Sequence, residues 1–337
     1  MTIVRQPTRA GVRDAAAKIA AILPPSPLLT ASIRGVTVAF KAECLQPVGA
    51  FKLRGAWHRL TALDERGRQK GVVAFSSGNH ALGIAWAARR LGIPAVIVMP
   101  SDAPRVKREG TLALGAEIVA YDRRTENREK IAAHLAHSRD ATLVPSFDDP
   151  WVIEGQGSAA IEAAQQMSSM GLDTPKRILL PCGGGGLAAG TALALSDAEV
   201  TVVEPEGWDD MRCSLEAGWI EPVGENPPET ACDALMTNEV SPLTFDVLSR
   251  RGVTGIAVSE AEIRTAQRWA AFQLRVVVEP GGAVALAALL AGRIAAEPGM
   301  LVMLSGGNVD PDAYAGVLGE HEAPGIAEDA AAAGEYS

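Results

Sequence analysis

Short apolar runs rich in β-branched residues alternate with longer segments of helical periodicity along almost the whole chain. Such alternation is typical of parallel sheets whose strands are joined by crossover helices. The predicted strands span residues 36–42, 72–75, 95–99, 117–121, 142–144, 178–181, 200–204 and 300–304. The predicted helices span residues 51–63, 80–91, 105–114, 124–138, 155–167, 187–195, 260–274 and 283–294. The pattern therefore predicts an α/β protein.

Composition and charge narrow the class of protein. The chain has 337 residues, 47% of them hydrophobic, which is enough for a large core in one or two domains. Its net charge is −9, whereas a nucleic-acid binder needs a basic face, so we expect no nucleic-acid partner. The four cysteines have neither zinc-site nor disulfide-framework spacing, which favours a cytoplasmic protein.

One segment could be mistaken for a membrane span. Residues 178–196 carry no charge and are long enough to cross a bilayer. However, Pro181 and the four glycines that follow it would leave backbone groups without partners in lipid. We interpret the segment as a buried strand, a glycine loop and a helix, and we expect no membrane partner.

The glycine loop is the most informative motif of the chain. It consists of Gly183, Gly184, Gly185 and Gly186, directly after a predicted buried strand and before a predicted helix. Here several backbone N–H groups can converge on one oxyanion, and the helix N-terminus favours negative charge. A flexible turn is the alternative, but tetraglycine is unusual between two apolar elements. The loop therefore predicts a phosphate site.

Three further loops follow predicted strands, and one of them is LSGGNVD at 304–310, in which a hydroxyl and two glycines follow the strand end. Ser76, Ser77, Asn79 and His80 in SSGNHA could bind a carboxylate, although Ser and Asn also serve as ordinary helix caps. Lys52 in QPVGAFKLRGA could be a desolvated amine for Schiff-base chemistry, although a surface lysine is the simpler interpretation. Parallel strands place such loops at one edge of the sheet, where a phosphorylated aldehyde cofactor would contact all of them.

In these motifs the chain resembles the fold-type II pyridoxal-phosphate (PLP) enzymes, specifically the serine/threonine dehydratase and serine racemase group. The resemblance spans residues 10–310 and includes LSGGNVD at 304–310. It implies two open, mostly parallel twisted sheets with helices on both faces, as in the tryptophan synthase β subunit. It also implies that Lys52 carries PLP, Phe51 lies against its ring, Asn79 contacts its phenolic oxygen, Gly183–Gly186 hold its phosphate and Ser305 meets its ring nitrogen.

The resemblance further implies how the chain is organised. We expect a large cofactor-binding domain of residues 1–70 and 149–319, and a small mobile domain of residues 71–148 inserted into it. Residues 320–337, rich in Ala, Glu and Gly, form a tail. Relatives of this kind are commonly homodimers, which is our expectation here.

A cation site is implied by the segment EPEGWDD. In racemase-like relatives this turn binds a divalent cation, which maps to Glu204, Asp210 and the carbonyl of Trp208. Oxygen ligands suit Mg²⁺ or Ca²⁺. An acidic surface turn is the alternative.

The expected reaction is β-elimination of water from a small 3-hydroxy amino acid of the L-threonine or L-serine type, giving a 2-oxo acid and ammonia. Lys52 is the expected base. A serine racemase is the main alternative, with Ser77 as the second proton donor, and a non-catalytic phosphate-binding module is a third. Arg128 matches an arginine that relatives turn toward the substrate, which would favour 3-hydroxyaspartate. Cys232-Asp233-Ala234 departs from the A-D-G of many relatives, which leaves the substrate open.

Overall fold

The computed structural model describes residues 5–320. Its strands are β1 (Leu28–Ile33), β2 (Val36–Ala42), β3 (Val72–Phe75), β4 (Ala95–Pro100), β5 (Glu117–Tyr121), β6 (Thr142–Leu143), β7 (Arg177–Pro181), β8 (Glu199–Pro205), β9 (Thr254–Val258) and β10 (Met300–Leu304). Its helices are α1 (Arg9–Ala20), α2 (Lys52–Thr61), α3 (Glu65–Lys70), α4 (Asn79–Leu91), α5 (Arg105–Ala113), α6 (Arg128–Arg139), α7 (Pro150–Ser169), α8 (Gly186–Ala194), α9 (Asp210–Ala217), α10 (Pro242–Arg250), α11 (Glu260–Trp269), α12 (Pro280–Leu290) and α13 (Pro311–Leu318).

The larger sheet has six strands in the order β1-β2-β10-β7-β8-β9. The pair β1 and β2 is antiparallel, and every other neighbouring pair is parallel. Apolar clusters cover both faces of this sheet, one around α7 and α8 and the other around α11 and α12. Helix α12 is buried along its whole middle, which explains why its sequence is apolar on all sides.

The smaller sheet has four parallel strands in the order β5-β4-β3-β6. All of them come from one continuous stretch of the chain. Helix α4 packs between this sheet and α2, and their apolar side chains share one core cluster. The predicted fold class, two mostly parallel sheets with helices on both faces, is confirmed.

Several predicted boundaries and omissions need correction. Strands β1 and β9 and helices α3, α9, α10 and α13 were not predicted. Both strands lie at edges of the larger sheet and are only partly buried, so their apolar pattern is weak. The helix expected from residue 124 begins at Arg128, because the Asn127 side chain accepts from the backbone N–H of Lys130 at 2.8 Å and caps it. The helix expected over 260–274 ends in a π-helical turn, Ala270–Leu274. Most of the predicted tail lies outside the described residues.

Within residues 5–320, no helix is both long enough and apolar enough to cross a bilayer.

Candidate active site

The four predicted loops meet in one cleft between the two sheets. The loop after β3, the loop after β7 and the end of β10 all contribute to its walls, as parallel strands should. Among the residues that line it are Phe51, Lys52, Ser76, Ser77, Asn79, His80, Arg128, Gly183, Gly184, Gly185, Gly186 and Ser305. The structure therefore brings together every predicted cofactor and substrate residue.

Lys52 is the first residue of α2, and its half-buried side chain points into the cleft. Its Nζ atom donates a hydrogen bond to the carbonyl oxygen of Ser146 at 3.0 Å and lies 5.2 Å from the centre of the Phe51 ring. Burial lowers the pKa of the Lys52 amine from 10.5 to about 8. A substantial fraction of this amine is therefore neutral near physiological pH, as Schiff-base and proton-transfer chemistry require.

The glycine loop ends at the N-terminus of α8. Gly185 occupies the N-cap position with a φ of 84°, which favours glycine, and no side chain caps this helix. A Cβ atom at Gly184 would lie 2.2 Å from the Phe147 ring, so a side chain cannot be accommodated there. The uncapped helix end and its side-chain-free approach leave N–H groups facing the cleft.

The SSGNHA loop leads into α4, whose N-cap is Gly78. No side chain caps the helix, so the alternative that these polar residues are merely caps is not supported. Ser76 accepts from the N–H of Gly78 at 3.0 Å, while Ser77 lies in the cleft wall. The open helix end and the two hydroxyls are suited to a carboxylate.

His80 is buried below this loop. Its Nε2 atom is hydrogen-bonded to the carbonyl oxygen of Val144 at 3.0 Å, which makes Nε2 the donor of a neutral ring. Burial and the nearby charge of Lys52 lower the pKa of His80 to about 3. Its Nδ1 atom has no hydrogen-bond partner within the described residues. The imidazole is therefore a neutral group with a free acceptor.

Ser305 stands at the end of β10, buried, with its side chain in the cleft wall. Its carbonyl accepts from the N–H of Phe51 at 3.1 Å, which holds the lysine loop against this strand. Its hydroxyl is neutral and, unlike a carboxylate, would not fix a full positive charge on a ring nitrogen bound beside it.

Arg128, at the start of α6, also lines the cleft. Its guanidinium lies 5.6 Å from the centre of the Phe75 ring and is paired with exposed Glu129 at 2.9 Å. The side chain is 31% exposed, so its donors can be shared with a ligand.

Several cleft residues were not identified from the sequence. Phe147, Thr237 and Glu279 line it together with Asp233, which had been noticed only as part of a departure from the family pattern. Glu279 directly precedes Pro280, the first residue of α12. An acidic residue before a helix-starting proline is the sequence signal that could have identified it. Lys107, which pairs with Asp233 and Glu279, lies in a helix with no motif at all.

The predicted cation site lies apart from the cleft. Glu204 accepts from the N–H groups of Met211 and Arg212 at 3.2 and 2.8 Å. Both carboxylate oxygens of Asp210 are buried without a partner inside residues 5–320, and burial raises the pKa of Asp210 to about 7. Among residues 5–320, no cluster of three or more His, Cys, Asp or Glu side chains is suited to hold a metal. The cation remains a prediction.

Comparison with known proteins decides the family. The family model described as "Pyridoxal-phosphate dependent enzyme" matches residues 22–306. The chain belongs to this family. The L-threo-3-hydroxyaspartate ammonia-lyase of Saccharomyces cerevisiae is 38% identical over 330 residues, covering 95% of this chain and 99% of that protein. The serine racemase of Schizosaccharomyces pombe is 37% identical, covering 93% and 98%.

Solved structures agree with this assignment to the PLP-dependent family. A threonine deaminase of T.th. superimposes with a TM-score of 0.83 and 40% identity, covering 90% of this chain and 99% of that one. Maize serine racemase superimposes with a TM-score of 0.85 and 33% identity, covering 92% and 96%. The expected class, a PLP-dependent ammonia-lyase, is confirmed.

The residues of the cleft fit PLP, the cofactor of this family. An amine with a lowered pKa suits the aldehyde, the uncapped N-terminus of α8 suits the phosphate, and the Ser305 hydroxyl suits the ring nitrogen. Phe51, beside Lys52, offers an aromatic face. Each of these groups is already in the cleft wall.

Proposed function

We propose that this protein is an ammonia-lyase that dehydrates a 3-hydroxy amino acid with a second carboxylate, L-threo-3-hydroxyaspartate, to a 2-oxo acid and ammonia. The observation that carries this choice is the position of Arg128 in the wall of the cleft that the SSGNHA loop also lines. An L-threonine or L-serine side chain offers this guanidinium one neutral hydroxyl, whereas a carboxylate accepts two charge-assisted hydrogen bonds from it. The S. cerevisiae relative with that activity supports the choice.

Binding would use two groups of residues in the cleft wall. The α-carboxylate would accept from Ser76, Ser77, Asn79 and the first N–H groups of α4. The side-chain carboxylate would pair with Arg128. Holding the substrate at two points fixes the direction of its Cα–H bond, which is the main contribution that positioning makes to such a reaction.

Lys52 would then act as the base at Cα. PLP, when bound, supplies an electron sink for the carbanion that proton removal creates. The neutral form of the Lys52 amine accepts the Cα proton, and the Ser146 carbonyl keeps that amine in place. The β-hydroxyl leaves with a proton as water. Hydrolysis of the product returns one water and releases ammonia, so the net change is one amino acid to one 2-oxo acid and one ammonia.

The test is a panel of substrates. We expect the formation of 2-oxo acid and ammonia to be fastest with L-threo-3-hydroxyaspartate and slower with L-serine and L-threonine. The enantiomers and phenylserine serve as comparison substrates. Equal rates with L-threonine and 3-hydroxyaspartate would contradict the proposed specificity, and no ammonia from any of them would contradict the ammonia-lyase activity.

Serine racemization is a second candidate activity. It requires a proton donor on the face of the substrate opposite Lys52, and Ser77 in the cleft wall is the candidate. The S. pombe racemase at 37% identity supports it. Chiral chromatography of L-serine reactions would detect D-serine. Replacing Ser77 by Ala should abolish the D-serine while ammonia release continues; unchanged D-serine formation would exclude Ser77 as the donor.

A divalent cation at the turn after β8 is a further part of the proposal. Asp210 is 3% exposed and has two unpartnered carboxylate oxygens close to Glu204 within the described part of the chain, which is a costly arrangement without a counter-ion. Mg²⁺ or Ca²⁺ would relieve it with the Trp208 carbonyl as a third ligand. Calorimetric titration with Mg²⁺ should show binding that Asp210→Asn removes. No heat in either protein would contradict the site.

We also propose that the two sheets correspond to two domains, residues 71–148 being inserted between residues 1–70 and 149–319, and that the protein is a homodimer. Sedimentation gives the mass directly, with 35.1 kDa expected for a monomer.

A further inference from the structure

A line of buried polar groups crosses between the two sheets behind the cleft. It starts at Lys107, which is 1% exposed. This residue lies on α5, a helix between strands β4 and β5 of the smaller sheet. The Lys107 ammonium lies 2.8 Å from both carboxylate oxygens of Asp233 and 3.1 Å from Oε2 of Glu279. Both acids belong to the part of the chain that builds the larger sheet. The ion pairs therefore join the two halves of the molecule at the cleft between them.

The line continues from Glu279 to Asn79. Oε1 of Glu279 accepts a hydrogen bond from Nδ2 of Asn79. Oδ1 of Asn79 accepts from Nδ2 of Asn308 at 2.9 Å, and the same Asn308 amide donates to the carbonyl of Val48 at 2.8 Å. Because its oxygen and one N–H are both engaged, the amide of Asn79 has a single orientation. Its second N–H is left for the cleft.

Two glycines of the predicted motifs make room for this line. A Cβ atom at Gly78 would lie 2.8 Å from Cδ of Lys107, so the lysine chain runs directly under the substrate loop. A Cβ atom at Gly306 would lie 1.9 Å from Oε1 of Glu279 and 3.1 Å from Nδ2 of Asn79. The glycines of SSGNHA and LSGGNVD thus accommodate Lys107 and Glu279.

The charges along the line are unequal. One ammonium faces two carboxylates, and Glu279 is 2% exposed. Without Lys107, Glu279 would be a buried anion with only an amide for a partner among the described residues, which is an unfavourable state. Glu279 would then either take up a proton or move to a more favourable position. Both changes would alter its hydrogen bond to Asn79.

We propose that Lys107 is a positioning residue of the cofactor site: it neutralises Glu279, and Glu279 in turn holds the Asn79 amide toward the phenolic oxygen of PLP. This inference rests on the proposed contact between Asn79 and the cofactor. It does not depend on which amino acid is the substrate. A failure of the substrate proposal and a failure of this one can therefore be told apart, because PLP binding is measured without substrate.

The test compares Lys107→Met with the wild-type protein. Methionine keeps the unbranched chain under Gly78 and removes the charge. We expect PLP affinity, measured by adding PLP to the apoprotein, to fall by about tenfold or more, since an uncompensated buried carboxylate is left. We also expect the visible absorption band of bound PLP to shift, because a hydrogen bond to its phenolic oxygen changes. Lys130→Met, at an exposed position on α6, is the matched control and should change neither quantity.

A second substitution separates positioning from loss of packing. In Lys107→Met/Glu279→Gln the unpaired charge is gone, while the amide oxygen of Gln can still accept from Asn79. We expect the affinity to return to within about threefold of wild type and the absorption band to return close to its wild-type position, since replacing a whole buried pair is far less costly than breaking it. If Lys107→Met alone does not fold, PLP binding by this double variant still tests whether Lys107 acts by neutralising Glu279.

Two results would overturn the proposal. One is Lys107→Met with wild-type affinity and an unshifted band, even if its melting temperature falls, because that would make Lys107 a purely structural residue. The other is a double variant that binds PLP as weakly as the single variant, because neutralising Glu279 would then not be what Lys107 does.

Discussion

Two buried clusters of charged residues have different roles in this molecule. One lies behind α2, where Lys41 and Arg54 face Glu43 and Glu162. There two cations meet two carboxylates, and Arg54 contacts the two acids at 2.7 and 2.8 Å. Further partners are Ser26, Ser158 and Gln166. The cluster is balanced in charge and well supplied with hydrogen-bond partners, as a structural network must be.

The cleft is different in kind. Lys107 faces two carboxylates, the Nδ1 atom of His80 has no partner inside the described range, and Lys52 contacts a single carbonyl. Several of these groups lie against glycines of the cleft loops. Folding alone does not satisfy such groups, whereas a bound cofactor and substrate would. The two clusters therefore differ in the pairing of their buried groups, which is complete behind α2 and incomplete at the cleft.

The largest effect should come from the cleft. Replacing Lys52 by Ala removes the proposed base and cofactor amine, and we expect turnover to fall by about 1000-fold or more. The melting temperature of the apoprotein should not fall. Ammonia release and thermal unfolding measure the two properties. A variant with a tenth of wild-type activity would show that another residue performs this role.

Breaking the balanced cluster should lower the stability of the protein and leave the cofactor site unchanged. Arg54→Met leaves Glu43 and Glu162 facing Lys41 alone, and we expect unfolding to become easier by about 3 kcal/mol. The absorption band of bound PLP should be unchanged, since Arg54 does not line the cleft. Urea unfolding and absorption spectra test this. A shifted band with unchanged stability would erase the distinction between the two clusters.

The lowered pKa of Lys52 predicts how the apoprotein responds to pH. Its pKa is about 8 in the folded protein and near 10.5 in the unfolded chain, so the unfolded chain binds more protons between these values. Below pH 8 the full penalty of burying the ammonium is present, and it disappears as pH rises toward 10.5. Allowing for the open side of the cleft, Lys52→Met should be more stable than wild type by about 2 kcal/mol at pH 7.

That difference should vanish near pH 10.5. Urea unfolding of the two apoproteins at about pH 7 and about pH 10 measures it. A stability difference that is the same at both pH values would mean that the Lys52 amine is not desolvated.

The smallest effect concerns selectivity. Arg128→Met should lower kcat/KM for 3-hydroxyaspartate by about tenfold or more, because the carboxylate loses its charge-assisted hydrogen bonds from the guanidinium, and leave L-serine within about twofold. Glu129→Gln is the matched control, because it removes the exposed partner of Arg128 without touching the guanidinium. Equal losses for both substrates would show that Arg128 supports the cleft wall rather than the second carboxylate.

Much of this site could be predicted from short stretches of sequence. A strand followed by glycine or a small polar residue is a local pattern, and it indicated the loops of Asn79, Gly183 and Ser305. The role of Lys52, whose loop begins at Glu43, rested on the resemblance to the fold-type II enzymes, and the structure places all four residues in one cleft. Edge strands β1 and β9 were missed because their weak burial leaves no clear period.

What the sequence by itself determined is the local chemistry: loops without side chains, an amine between apolar residues, and the alternation that gives parallel strands. Only the tertiary structure decided which groups remain short of partners. Lys107 and Glu279 lie far apart in the chain, and neither lies in a motif that foretells the other. Whether a buried charge is balanced depends on what the rest of the fold brings to it. The partners of a buried charge come from segments that are distant in sequence, so no local sequence pattern can predict whether the charge is balanced.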